Sequence, residues 1–431
     1  MLSRHEGLTD EQRAFQQLCR DFTDQEILPW LAQHRDEEWN APPRERLPHR
    51  LMARADEIGL RTLGLPPEYG GVPLDTLTQA LLVEELGRGE PGFTTTIVQN
   101  WKIAAEFARH ASKELADEWF AKFTKDPGFL WAHCLTEPRG ASDRVLQYNA
   151  PEASMQTKAV RDGEEWVING VKHYVSNGGT ASAFIVYANT DPTAGVRDGV
   201  SSFLVGKDTP GFSISRINEK IGHRLAVNAE LVFEDCRVPA SHLLVKNTAL
   251  GGASLYLLQG RVLNAARAVG VMQAAFESTA RYAQEHFHGG KIIIKHQVVA
   301  ARLADMATTL ETCRAITYRA ARAIDAGADD ASALALMAKL HCGEAVFDVA
   351  RAAMELHGGM GVMLEAGIEK YLRDSTIFSH TEGTADMQRF KIIKAMFPAT
   401  AGVYAGPDPV FLPDGSVAPG TVGTRASAAP A

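Results

Sequence analysis

The hydrophobic period of this chain changes twice, from helical spacing to strand spacing near residue 129 and back again after Pro239, which requires three parts. In the first part, Thr9-Asp10-Glu11-Gln12 reads as a capping box, and Phe15, Leu18, Phe22, Ile27, Leu28 and Leu31 follow at helical spacing as one apolar face. Pro42-Pro43 interrupts, residues 51–59 return to helix, and Pro66-Pro67-Glu68-Tyr69-Gly70-Gly71 forms a loop before helical segments at 74–86 and 94–108. From Phe129 the apolar runs become short and are bounded by glycine, asparagine and proline. Asn169-Gly170 between runs 166–168 and 173–175 predicts a tight hairpin, because both residues tolerate positive φ. Strands are also expected at 183–187, 201–205, 212–217 and 230–233, and long Ala/Leu-rich helices at 255–286, 297–326, 332–356 and 385–396. The expected fold is an α+β multidomain chain. It has an N-terminal helical domain over residues 1–128, a middle β-barrel or sandwich over 129–245, a C-terminal four-helix bundle over 246–398 and a mobile tail over 399–431.

A length of 431 residues suits two or three structural units with substantial cores. With 45% hydrophobic and 22% charged residues, and no apolar run of about eighteen, no membrane span is expected. The N-terminal Met1-Leu2-Ser3-Arg4-His5-Glu6-Gly7 has neither a signal core nor transit-peptide character, so a cytoplasmic location is expected. A net charge of −8 disfavours nucleic acid as a partner. Five cysteines without Cys-x-x-Cys spacing point to free thiols in a reducing compartment, and the spacing of His286, His288 and His296 is not that of a metal site. No dinucleotide-fold glycine fingerprint, phosphate-binding Gly-Lys-Ser/Thr loop or nucleophile elbow is present.

One loop, Leu135-Thr136-Glu137-Pro138-Arg139-Gly140-Ala141-Ser142-Asp143, combines hydroxyls, a rigid corner and small residues, and so lets a flat ligand approach the backbone. Taken alone it also suits an ordinary strand-to-turn junction. In sequence order, however, it resembles the flavin-contacting signature of the acyl-CoA dehydrogenase family, and four further segments agree. Asn169 to Gly178 is similar to the family's second signature, with Tyr174 against the flavin and Ser176 bonding it. Lys220-Ile221-Gly222-His223-Arg224 with Phe233 to Pro239 resembles the strand pair and exit of the middle domain. His357-Gly358-Gly359-Met360-Gly361 with Arg373-Asp374 resembles the late glycine turn, and Thr381-Glu382-Gly383-Thr384 with Gln388-Arg389 the catalytic segment. The likeness spans roughly residues 8 to 398.

This resemblance implies FAD as cofactor and Glu382 as the base that takes the α proton of an acyl-CoA while the flavin accepts the β hydride. It implies cofactor contacts from His133, Leu135, Thr136, Ala141, Ser142, Tyr174, Ser176, His286, Gly289, Gln297, Glu355, Gly358, Gly359, Thr384 and Asp386, and substrate contacts from Ser142, Arg261, Thr381, Gly383 and Arg389. It further implies a homodimer or homotetramer passing electrons to an electron-transfer flavoprotein, in fatty acid metabolism. In a dry cleft the Glu382 carboxyl is expected to have a raised pKa. Thr381, where many relatives carry tyrosine, leaves room for a branched, cyclic or aromatic acyl group, whereas Trp101 would shorten the pocket. The chain departs from the family where an arginine and Phe-Gly reach the neighbouring subunit's flavin pyrophosphate. Here His286, Gly289 and Gly290 stand there, followed by Lys291, while Glu355 and Asp386 place negative charge near the nucleotide. Two other classes are compatible with these residues: a flavin oxidase or monooxygenase on the same fold, and a non-catalytic flavin-bearing binding protein.

Overall fold

The computed structural model describes residues 7–140, 151, 154–250 and 255–397, so the expected tail and the Ala141 and Ser142 contacts lie outside the described residues. The N-terminal part is helical: α1 (Asp10–Phe22), α2 (Leu28–Gln33), α3 (Glu37–Asn40), α4 (His49–Glu57), α5 (Thr76–Gly89), α6 (Pro91–His110) and α7 (Lys113–Lys125). The Thr9 capping box forms, with the Gln12 amide donating to the Thr9 hydroxyl at 3.1 Å and the Thr9 amide donating back to the Gln12 side chain at 3.1 Å.

Eight strands follow: β1 (Trp131–Cys134), β2 (Lys158–Asp162), β3 (Glu165–Ser176), β4 (Ala183–Asn189), β5 (Val200–Gly206), β6 (Phe212–Ile217), β7 (Asn228–Pro239) and β8 (Leu243–Val245). They form one sheet in the order β6-β7-β3-β2-β4-β5-β8, with β1 pairing parallel to β4. Its two halves are joined at the single bridge Lys158↔Asn189, and the sheet folds there so that the halves face each other. Trp166 of β3 lies 5.3 Å from Phe203 of β5, and Phe184 of β4 lies 4.6 Å from Phe212 of β6. The opposite face of β4 is covered by α6 and α7 through Phe107, Trp119, Phe120 and Ile185, which explains why β4 is buried along its whole length.

The expected hairpin at Asn169-Gly170 is absent: both residues lie inside the continuous strand β3. The turn is instead at Gly163-Glu164, where Asp162 pairs with Glu165. Asn169-Gly170 marks a bulge against β7, with the register shifting between Ile168 and Gly170. Gly170 has φ 148°, and a Cβ there would sit 2.6 Å from the Thr157 Cα. The same conformational freedom that makes Asn-Gly a turn signal also serves a bulge, and only the pairing partner distinguishes them.

The C-terminal part holds α8 (Leu255–Glu285), a short hairpin β9 (Phe287–His288) and β10 (Lys291–Ile292), then α9 (Gln297–Asp325), α10 (Ala331–Leu356), α11 (Glu369–Phe378) and α12 (Ala385–Met396). Four of these helices stand where the sequence predicts a bundle, and α11 is an additional one that packs on α10 and α8. α5 crosses α8 with backbones nearly touching, since a Cβ on Gly270 would lie 2.3 Å from the Glu84 carbonyl. The middle part is docked by Asp374 of α11, whose carboxylate accepts the His223 amide at 2.7 Å, and by Lys370, which bridges Glu38, Glu90 and Asp374. These ties hold the three parts around one junction. Among the described residues no helix is long and apolar enough to cross a membrane.

Candidate active site

Glu382 sits in the loop between α11 and α12 at φ 55°, a conformation costly for a residue with a Cβ and therefore imposed by its surroundings. Gly383 follows at φ 91°. The carbonyls of this pair are fixed from inside: Gln388 Nε2 donates to Glu382 O at 3.0 Å and Gly383 O at 3.1 Å, and the buried Lys339 of α10 donates to Gly383 O at 2.5 Å. Asn264 of α8 donates to the Thr381 hydroxyl at 2.6 Å. Among the described residues the Glu382 amide donates to no partner, so it is available to an incoming oxygen.

The Glu382 carboxylate is 19% exposed and pairs with Lys102 of α6, 3% exposed, at 2.5 Å. The Lys102 ammonium also lies 4.3 Å above the ring of Tyr256 on α8, and that ring stacks on His133 of β1 at 4.7 Å. His133 in turn contacts the Tyr187 hydroxyl at 3.0 Å. One residue chain, His133-Tyr256-Lys102-Glu382, therefore joins all three parts of the molecule. Gly260 makes this convergence possible, because a Cβ there would lie 2.7 Å from Lys102 Nζ and 3.0 Å from Glu382 Oε2.

The expected rise of the Glu382 pKa is not what the structure gives. Burial pushes the carboxyl up, but the charge and hydrogen bond of Lys102, with Arg261 behind them, outweigh it and hold the group below its usual value. Burial, helped by Lys102, lowers His133 to about 3, so its imidazole is neutral. Burial likewise lowers Lys339 to about 8, opposed by the Glu382 charge.

The Thr136 loop is pinned from below. Buried Glu137 accepts from Lys172 Nζ at 2.8 Å and from the Gln156 and Thr157 amides at 2.8 and 3.0 Å, while Lys172 also holds the Leu135 carbonyl at 3.1 Å. The His173 amide donates to Thr136 O at 2.9 Å, tying this loop to a second bulge in β3 between Lys172 and Val175. That bulge turns Tyr174 outward at φ 57°, leaving it 63% exposed although it is a large aromatic on strained backbone. The Thr136 and Ser176 hydroxyls make no hydrogen bond among the described residues. An exposed aromatic ring backed by the His173 imidazole at 3.9 Å, together with hydroxyls that have no partner among the described residues, fits a flat, hydrogen-bonding heterocycle such as isoalloxazine.

The remaining expected contacts gather elsewhere. His286 stacks on Tyr282 at 4.7 Å, and Tyr282 stacks on His357 at 4.3 Å, which brings the turn at Gly289 (φ 61°) and Gly358 (φ 58°) with its neighbour Gly359 onto one surface. Gln297 is exposed at the start of α9. This surface lies about 37 Å along α8 from Arg261, at 1.5 Å per residue, so one copy cannot bring both ends of that helix to one reacting centre. The expected negative charge of Glu355 is offset, for it pairs with Arg302 and, at 2.8 Å, with Arg351, which together hold its carboxyl below the usual range. Arg389 bonds Glu344 at 2.5 Å and Asp386 at 3.1 Å, and Thr384 caps α12 through its backbone. Arg261 is buried with its charge toward Glu382. Trp101 is turned to the N-terminal part, its indole donating to the Leu60 carbonyl at 2.5 Å. Sequence reasoning missed Lys102, Tyr256, Lys339 and Arg302; only Lys102 leaves a trace, as a cation between the apolar Trp101 and Ile103-Ala104 of α6.

Comparison with known proteins agrees with this geometry. Residues 9–126, 132–236 and 253–397 match the acyl-CoA dehydrogenase N-terminal, middle and C-terminal domains respectively. Cyclohex-1-ene-1-carbonyl-CoA dehydrogenase of Geobacter metallireducens is 34% identical over 91% of this chain and 99% of its own length. Butyryl-CoA dehydrogenase of Megasphaera elsdenii superimposes with a TM-score of 0.82 at 27% identity, over 91% of this chain and 99% of its own. A chain solved in work on the electron transferring flavoprotein of Acidaminococcus fermentans gives a TM-score of 0.81 at 29% identity, again over 91% and 99%.

Proposed function

The chain belongs to the acyl-CoA dehydrogenase family of oxidoreductases, and we propose that it forms the 2-enoyl thioester from an acyl-CoA with Glu382 as the base for the α proton. The observation that carries this is the Lys102-paired carboxylate of Glu382, presented by a strained loop at the junction of all three domains. The family is FAD-dependent, and when bound the cofactor supplies the acceptor for the β hydrogen and its electron pair. Thr136, Tyr174 and Ser176 are the residues of this chain that would hold its ring.

The protein's own share of the reaction is positional and electrostatic. Glu382, kept ionised by Lys102, takes the α proton at a carboxylate oxygen. As the α carbon loses that proton, charge builds on the thioester oxygen, and the free Glu382 amide is placed to donate to it. Gln388 and Lys339 hold the adjoining carbonyls inward, so that amide faces the cleft without rearranging. Neutral His133 and the aromatic ring of Tyr256 bound the site without adding a second acid.

The separation of the His286–Gly358 surface from Glu382 supports a homodimer or homotetramer in which a second copy completes each cofactor site. An electron-transfer flavoprotein is the proposed acceptor. Anaerobic mixing with a panel of acyl-CoAs, followed by air or by electron-transfer flavoprotein, tests the reading. Bleaching of the flavin band that recovers quickly only with the flavoprotein is expected. Rapid recovery in air would identify an oxidase, and no bleaching by any acyl-CoA would leave a binding protein.

A further inference from the structure

Resting on the dehydrogenase reading, we propose that Lys339 is a positioning residue whose ammonium form, and not its neutral amine, aims the Glu382 carboxylate and amide, so that turnover falls as Lys339 gives up its proton. The loop from Ser379 to Ala385 closes on itself, because the Ala385 amide donates to Ser379 O at 3.1 Å. Lys339 Nζ reaches this loop from α10 and donates to Gly383 O at 2.5 Å and to the same Ser379 O at 3.4 Å. One turn further along α10, the Gly343 carbonyl accepts from the Ser379 hydroxyl at 3.0 Å. Ser379 caps the C-terminus of α11, where the helix dipole favours a cation. The ammonium thus ties the end of α11 to the residue after Glu382, and the strained Glu382 backbone at φ 55° lies between these two anchors.

Charge is what makes this clamp strong. A neutral amine offers the two carbonyls ordinary hydrogen bonds, whereas an ammonium offers charge-assisted ones about twice as strong. Lys339 is 1% exposed, and among the described residues no carboxylate forms an ion pair with it. Its surroundings leave the charge closely balanced. Burial is the largest influence and opposes the charge, Glu382 across the loop and Glu344 on α10 favour it, and Arg261 on α8 opposes it. α11 presents the neutral Ser379 carbonyl, and α12 brings Lys391 within reach of the Arg261 charge. The result is a Lys339 ammonium lowered to about 8, while Glu382 is held below its usual value and stays ionised over the same range. Lys391 is also lowered to about 8, by burial and by Arg261, but among the described residues it donates to no carbonyl of the loop. Loss of the Lys339 proton therefore leaves a carboxylate still able to accept a proton but less firmly aimed. A misplacement of about 1 Å costs on the order of a hundredfold, so a partial loosening should cost about tenfold.

The test follows the rate of anaerobic flavin bleaching at saturating acyl-CoA, with acyl-CoA affinity measured alongside, from neutral to alkaline pH. It uses the FAD-loaded wild type, Lys339→Met, Lys339→Arg and Lys391→Met. In the wild type the rate should fall about tenfold through a limb near pH 8, with affinity unchanged. Lys339→Met, close in volume, should be slow by about tenfold at every pH and show no limb. Lys339→Arg keeps its charge over this range, so it should restore the rate near neutrality and hold it as pH rises. Lys391→Met should keep the wild-type limb. A limb that survives in Lys339→Met, or one that disappears in Lys391→Met, overturns the proposal. A Lys339→Met variant as fast as the wild type overturns it as well, and so does a fall carried by affinity instead of by the bleaching rate. A wild type that bleaches equally fast throughout overturns it and leaves the dehydrogenase reading intact, whereas a flavin that no acyl-CoA bleaches at any pH sinks both.

Discussion

Replacing Gly383 by alanine tests whether the Glu382 loop is held as rigidly as the structure implies. Gly383 has φ 91°, where a Cβ costs roughly 1–2 kcal/mol. The new methyl would also lie 2.7 Å from Gln388 Nε2, so the amide must move off the two carbonyls it serves, at about 1 kcal/mol for each bond. Together this comes to roughly 3–4 kcal/mol, which either lowers stability or is relieved by letting Glu382 shift. A shift of the base by about 1 Å is worth on the order of a hundredfold in turnover. Gly70→Ala supplies the control: at φ 88° it carries the same backbone penalty, but open space surrounds its Cβ. Thermal melts and flavin bleaching by an acyl-CoA should therefore show both variants destabilised and only Gly383→Ala slowed by tenfold or more, about 1.4 kcal/mol of barrier. Equal turnover in the two would refute the claim that Gln388 positions the base.

Other consequences follow from the same contacts. Because Lys102 holds the Glu382 carboxyl below its usual value, the acid limb of the kcat/KM profile should move to higher pH in Lys102→Met; an unmoved limb would contradict the pairing. The sign for stability is consistent with this. A depressed folded pKa contributes stability above the unfolded value, about 4.3, that is lost as pH falls through the folded one, so wild type and Lys102→Met should converge in acid melts. Gly170→Ala, with a Cβ 2.6 Å from the Thr157 Cα, should lower the melting temperature more than Gly163→Ala, whose Cβ meets nothing, and the reverse order would restore the hairpin reading. Arg302→Met should release FAD more readily during gel filtration, whereas Arg319→Met, at a distant surface pair, should not; equal retention would remove Arg302 from the nucleotide surface.

The three-part fold is legible in the sequence because its two changes of hydrophobic period are long and strong, and because capping at Thr9 and the proline breaks are local signals. Where pairing decides the outcome, local signals fail. Asn169-Gly170 carries the composition of a turn and forms a bulge, since β7 and not the turn sets its register. Glu382 beside Gly383 is legible as the proposed base, but its electrostatics are not. Lys102 is 280 residues away and reaches Glu382 only because α6 and α8 meet at Gly260. Burial taken without the charge and hydrogen bond of that lysine and the charge of Arg261 points the other way, which is why the sequence predicts the opposite direction for the pKa. The same holds for Glu355, whose charge reads as an obstacle to a nucleotide until Arg302 arrives from α9.

The central claim is that the Glu382 carboxylate removes the α proton in a site that otherwise assembles without it. Glu382→Gln measures this most directly, with anaerobic flavin bleaching and acyl-CoA binding followed on the same sample. The variant should keep its yellow colour and bind acyl-CoA, with bleaching slowed by about a thousandfold, within the range for a general base. Bleaching within tenfold of the wild type would contradict the account.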